Sequence, residues 1–229
     1  MSDIHPPSAD EGPARSDREK ILEGFMALLA EHRFERIGLG DIARASGISL
    51  SQLRREFSSP VAIVAAYMKE IDLKVLSGGD ADMAEESPRE KLFDVLMRRL
   101  DLLAPHKRAI RSLLRSAACN PPLALVLAGF GAQSQRWMLA ASDIDSAGLK
   151  GMMRAQGLTM LFACVLRTWV DDEDPGLART MAVLDRELSR GQRWSGCLDR
   201  LCAIPEGLSR IGSPRPRRRR GRDGDPVAA

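Results

Sequence analysis

Within seven residues the chain sets five polar side chains: Ser49, Ser51, Gln52, Arg54 and Arg55. Arg44 stands five residues earlier. Hydroxyls, an amide and guanidiniums are the groups that hydrogen-bond base edges and phosphates of nucleic acid. No other cluster offers comparable chemistry. His5, His32 and His106 have no Cys, Ser or acidic partner at a recognisable spacing, which excludes a nucleophilic or general-base arrangement. The four cysteines, Cys119, Cys164, Cys197 and Cys202, form no CxxC pair and no ligand spacing with the histidines, so no metal is expected. The acids of Asp171–Asp174 lack the alternating oxygens and glycine of a calcium loop and read as a solvated turn. There is no glycine-rich phosphate loop. An enzyme is not expected, and neither is a cofactor.

The elements that hold the polar cluster are legible around it. Residues 39–57, LGDIARASGISLSQLRREF, read as two short helices joined by a tight turn. Leu39, Ile42 and Ala43 share one face of the first helix. Gly47 supplies the turn, and Ser49 caps the second helix through its hydroxyl. Leu53 and Phe57 form the inward side of that second helix, while Leu50 is free to point elsewhere. A helix, a glycine turn and a helix of this size form the unit that lays its second helix in the DNA major groove.

This stretch resembles the TetR family of transcriptional repressors. The likeness runs from about Arg15 to Asp72. It includes REKILEGFMALLAE at Arg18–Glu31, then RFERIGLGDIARASGIS, an LxxxF at Leu53–Phe57, and PVAIVAAYMKEID from Pro60. Three positions depart from the family pattern: Gly38 replaces a hydroxyl residue, Arg54 follows Leu53 where Tyr is usual, and Pro60 stands where Lys is common. Each of those family residues commonly touches phosphate, and Arg54 and Arg55 are placed to restore some of that anchoring.

Composition fits an all-α protein. Of the 229 residues 44% are hydrophobic but only 4% aromatic, so Leu, Ala, Ile, Val and Met must fill the interior. No apolar run is long enough to span a membrane, and no signal peptide is evident, so a cytoplasmic chain with reduced thiols is expected. Arg210–Arg222 holds seven arginines and no acid; without those seven the formal charge of +3 becomes −4. Residues 15–76 carry ten basic and nine acidic groups, so a basic DNA-facing surface depends on how the charges are arranged.

The expected organisation has four parts. Residues 1–14 are a disordered N-terminus and 15–60 a three-helix helix-turn-helix DNA-binding domain. Residues 61–209 form a helical effector-binding and dimerisation domain, and 210–229 a disordered Arg-rich tail. Helices are expected over 60–76, from the Ser87-Pro88-Arg89-Glu90 start signal to Pro105, in a short piece around Ile110, Leu113 and Leu114, and over 122–141. The longest periodic run spans 149–170, where Leu158, Phe162, Val165 and Trp169 form a continuous stripe. A last long helix opens at Pro175, with Met181, Leu184 and Leu188 on one side. A short helix is expected around Cys197–Cys202.

The resemblance implies a homodimer through the last two long helices, with Phe162, Val165, Trp169, Leu184 and Leu188 at the interface. It also implies a small-molecule effector. Residues 168–194 further resemble the C-terminal segment of a lipid-binding accessory protein of coenzyme Q biosynthesis, which points to an apolar effector lined by Phe93, Met97, Phe130, Trp137 and Met160. The expected partners are therefore an operator in double-stranded DNA, an effector and a second copy of the chain. Two alternatives stay open: a lipid- or isoprenoid-binding protein with a vestigial DNA-binding unit, and stripes that simply face the chain's own core. The arginine tail reads as an arm on DNA, as a solvated terminus, or as a binder of RNA or anionic lipid.

Overall fold

The computed structural model describes residues 16–79 and 85–191, and within them all regular structure is helical. The N-terminal segment, the Arg-rich tail and the Cys197–Cys202 stretch lie outside the described residues.

Helix α1 (Asp17–Glu31) starts at Ser16, whose hydroxyl accepts from the Glu19 N–H at 3.3 Å while the Glu19 carboxylate accepts from the Ser16 N–H at 2.9 Å. This reciprocal cap satisfies two otherwise orphaned donors. Ile21, Phe25 and Leu29, at four-residue spacing, are fully buried. A 3-10 turn at Phe34–Arg36 leads to α2 (Leu39–Ala45) and α3 (Leu50–Glu56). Gly47 takes a left-handed φ of 65°, which only glycine adopts without strain, and this reverses the chain between α2 and α3. Ile42, Ala43, Leu53 and Phe57 are buried as their spacing predicts. Leu39 is not. It is 46% exposed because α2 approaches α1 closely at its C-terminal end, where Ala45 and Ser46 meet Gly24, and its first turn overhangs that contact.

Helix α4 (Pro60–Ser77) is capped by the Ser59 hydroxyl, which accepts from the Ala62 N–H at 3.2 Å, and carries Pro60 where a missing N–H costs nothing. Its inner face is Ile63, Tyr67, Ile71 and Val75. Then come α5 (Pro88–Leu103), α6 (Lys107–Cys119), α7 (Pro121–Ala141) and α8 (Gly148–Trp169). Ser87 and Glu90 make the reciprocal cap of α5 that the sequence announces.

The final described helix, α9, covers 178–191 and starts three residues later than Pro175 suggests. Two aspartates explain the delay. Asp174 accepts from the N–H groups of Gly176 (3.2 Å) and Ala178 (3.1 Å), and Leu177 takes a positive φ of 50°. Buried Asp172 accepts from both the N–H (2.9 Å) and the hydroxyl (2.6 Å) of Thr180. The Thr180 hydroxyl is the main reason that the Asp172 carboxyl sits below the ordinary carboxylate range, against the opposing effect of burial. These bonds spend the residues before 178 on capping. Leu184 and Leu188 of α9 are buried, whereas Met181 faces out.

The apolar interior is continuous from Ile21 of α1 to Leu188 of α9. One close crossing involves Gly24. A Cβ there would stand 2.6 Å from the Ser46 hydroxyl and about 3 Å from the backbone of Ala45 and Ser46. Gly24→Ala should therefore destabilise the protein by about 1–3 kcal/mol, since overpacking outweighs the roughly 1 kcal/mol of helix propensity that alanine gains. Urea titration checks this, and a more stable alanine variant would show that the crossing is slack.

Candidate nucleic-acid interface

Helix α3 is held from three sides, and this decides which of its polar groups are free. Leu53 and Phe57 anchor it in the core. Its start is fixed by Ser49, whose hydroxyl accepts from the Gln52 N–H at 3.2 Å, while the Gln52 side-chain oxygen accepts from the Ser49 N–H at 3.0 Å. The Gln52 amide nitrogen then donates to Asp17 of α1 at 3.0 Å. Both ends of this side chain are occupied and it is half-buried. Ser49 and Gln52, both expected at the DNA surface, are thus engaged by the cap and the tie to α1. Ser51 shares its hydroxyl with Ser49 at 2.9 Å and remains exposed.

Arg54 and Arg55 lie exposed in the last turn of α3. Among the described residues neither makes an ion pair, so two guanidiniums are open to an anionic partner. Arg44, on α2, is exposed and pairs with Asp41 at 2.5 Å, an exposed contact that a competing phosphate can replace at little cost. Asp41 also accepts from the Gly38 N–H at 3.0 Å and so closes the start of α2, where glycine has no side chain to give the usual cap.

Two contributors from α1 are not evident in the sequence. Arg18 stacks over the Phe57 ring with 5.0 Å to its centroid, which sets an exposed cation beside the end of α3. Asp17 fixes Gln52. Their only sequence signal is a place in the first turn of a helix 35 residues before Gln52. Beside this surface a cleft of about 510 Å³ opens between Leu28 and Ile37, rimmed by His32, Arg36, Asp41 and Arg44.

Helix α3 is thus held by its apolar face and its cap, with its outer cations exposed. Solved structures share the overall fold. A TetR transcriptional regulator from Nitrosomonas europaea superposes with a TM-score of 0.61 at 20% identity, over 78% of this chain and 99% of that one. A TetR transcriptional regulator from Rhodococcus sp. RHA1 gives 0.54 at 20% identity, over 79% and 97%. A TetR-family regulator from Rhodococcus sp. gives 0.55 at 18%, over 76% and 97%. The chain has the TetR-family fold. No protein-family model matches the sequence, and no curated protein does. No helix among the described residues is long and apolar enough to cross a membrane.

In the TetR-like frame the second half of the chain corrects two expectations. Phe162, Val165, Trp169, Leu184 and Leu188 are between 0% and 5% exposed within a single chain. Side chains already covered by their own protomer have no area left for a partner, so they belong to the core and not to a dimer interface. The effector-lining set divides. Phe93, Met97 and Phe130 are half-buried, but Trp137 is 57% and Met160 63% exposed, on the outside of α7 and α8. Helix α8 buries its Leu158–Trp169 stripe inward, which leaves Met160 on its outer side.

Proposed function

We propose that this chain is a DNA-binding transcriptional regulator, acting as a repressor, that reads the major groove with α3. The observation that carries the reading is the pair of unpaired, exposed guanidiniums of Arg54 and Arg55 on a helix locked by Leu53, Phe57 and the Ser49–Gln52 cap. Arg54, Arg55 and Ser51 meet base edges and phosphates, with Arg44 and Arg18 as flanking phosphate contacts. Ser49 and Gln52 position the helix. A fixed cap reduces the ordering that binding would otherwise require.

A single reader of this size gains affinity by working in twos on a half-site repeat. The chain acts as a homodimer, and the partner covers the exposed apolar side chains of α7, α8 and α9: Trp137, Met152, Met153, Met160 and Met181. A mainly apolar effector enters beside the half-buried Phe93, Met97 and Phe130 and releases the operator.

The test is retardation of duplexes selected from a random library and of the chain's own promoter region, against scrambled competitor. Arg54→Ala with Arg55→Ala should weaken binding by about a hundredfold or more, from roughly 1–3 kcal/mol per lost contact. Because both side chains are exposed, stability should move by no more than about half a kcal/mol. Unchanged affinity in the double variant would remove α3 from the interface.

A further inference from the structure

The exposed side chains of α3 are polar or charged with one exception. Leu50, the first residue of the helix, is 58% exposed beside Ser51, Arg54 and Arg55. Leu53 and Phe57 of the same helix are 2% and 6% exposed. The core thus holds two apolar groups of α3 and leaves the third to solvent.

The place of Leu50 is nevertheless fixed. Ser49, directly before it, is closed against Gln52 by the reciprocal cap, and Gln52 is tied to Asp17 of α1. The backbone at Leu50 is therefore set before any partner arrives, which lowers the cost of using its side chain in a contact. Leu50 and Arg54 are four residues apart and so are neighbours on the helix surface. Along the axis they stand about 6 Å apart, close to two base-pair steps of about 3.4 Å.

The major groove offers an apolar side chain one complementary group. Guanine, adenine and cytosine present hydrogen-bond donors and acceptors there, whereas thymine adds a 5-methyl group. Donors and acceptors covered by a leucine lose water and gain no bond, which disfavours the other bases. Residues at the N-terminal end of a reading helix are those that reach base edges.

We infer that Leu50 is a specificity-determining residue that packs on the 5-methyl group of a thymine, about two base pairs from the base read by Arg54. This contact rests on the proposed reading of α3 and adds an apolar element to a surface otherwise polar. 5-Methylcytosine carries the same methyl group, and the test separates the two bases.

A duplex is first selected by the full-length wild type from an unmethylated random library. Each thymine is then replaced singly by uracil, which removes the methyl and keeps every hydrogen-bonding group. One position in each half-site should weaken wild-type binding by about fourfold, the factor for withdrawing one methyl-sized apolar group from contact. Leu50→Ala withdraws the isobutyl tip and should bind the thymine and uracil duplexes equally. Because Leu50 is exposed, circular dichroism and the urea midpoint of this variant should match the wild type. Leu73→Ala, at an equally exposed leucine of α4, should keep the fourfold preference.

At the sensitive position, cytosine and 5-methylcytosine are compared in the same way. A fourfold gain from the added methyl assigns the contact to the methyl on either pyrimidine, and no gain confines it to thymine. A wild type indifferent to uracil at every position, or a Leu50→Ala variant that keeps the preference, overturns the Leu50 contact while DNA binding stands. A wild type that selects no duplex overturns the reading of α3 and this contact with it.

Discussion

Arg99→Met should cost about 3–5 kcal/mol, because it leaves the carboxylate of Asp72 buried without its partner. Arg99 is 3% exposed in the middle of the helical half. It donates to Asp72 at 2.6 Å and to the Ser134 hydroxyl at 2.6 Å, and that hydroxyl donates in turn to Asp72 at 2.7 Å. Its guanidinium also lies 5.4 Å from the centre of the Phe162 ring. Three helices, α4, α5 and α7, thus meet α8 around one charge. Burial pulls the guanidinium pKa down, and Asp72 opposes that pull. Yet the Nε of Arg99 and the side-chain oxygen of Gln135 are buried with no hydrogen-bond partner among the described residues.

An ion pair with an unmet donor is a costly way to fill a core. The paired variant Arg99→Met with Asp72→Leu should accordingly recover most of the loss and can exceed the wild type. Urea midpoints with unchanged slope check both variants. A single variant as stable as wild type would mean that water reaches the pair.

About one turn earlier on α4, Tyr67 bonds His106 at 3.0 Å, so α4 is pinned at two levels. Burial, ahead of the charge of Glu70, pushes the Tyr67 phenol well above its ordinary pKa of 10.0 and keeps it protonated.

What could be read in advance was local. Ser49 and Ser87 act as caps because a hydroxyl three residues before a glutamine or glutamate closes a helix start whatever surrounds it. Gly47 turns the chain because φ is a property of one residue. The Leu158–Trp169 stripe was visible as a stripe, since spacing alone defines it. Its destination was not. Periodicity gives the faces of a helix but not which one meets the protomer, and α8 has apolar groups on two. The engagement of Gln52 by Asp17 and of Asp72 by Arg99 joins residues 35 and 27 positions apart. Such pairs are set by helix crossings and have no signature in either segment. Gly24 was silent for the same reason, because the atom it makes room for belongs to Ser46.

The inward stripe of α8 makes the strongest test of assembly a comparison of two charge pairs. Val165→Asp with Trp169→Asp should unfold the chain, because both sites are at most 1% exposed and each carboxylate would be buried unpaired. Met153→Asp with Met160→Asp should leave the fold intact and give monomers. These methionines are seven residues apart, two turns of the same helix, and are 40% and 63% exposed. In a single chain the new charges face water and cost little; in a dimer they would meet their own copies across a twofold axis and be desolvated together. Charge buried without a partner costs several kcal/mol, so a dimer should lose about a hundredfold or more in affinity.

Light scattering reads the mass and circular dichroism the fold. Operator retardation should fail in the monomer although Arg54 and Arg55 are untouched, since one reader makes only half the contacts. Two results would undo the assignment: a dimer that survives the methionine charges, which moves the interface to another face, or a folded monomer from the Val165 and Trp169 charges, which would return those side chains to the interface.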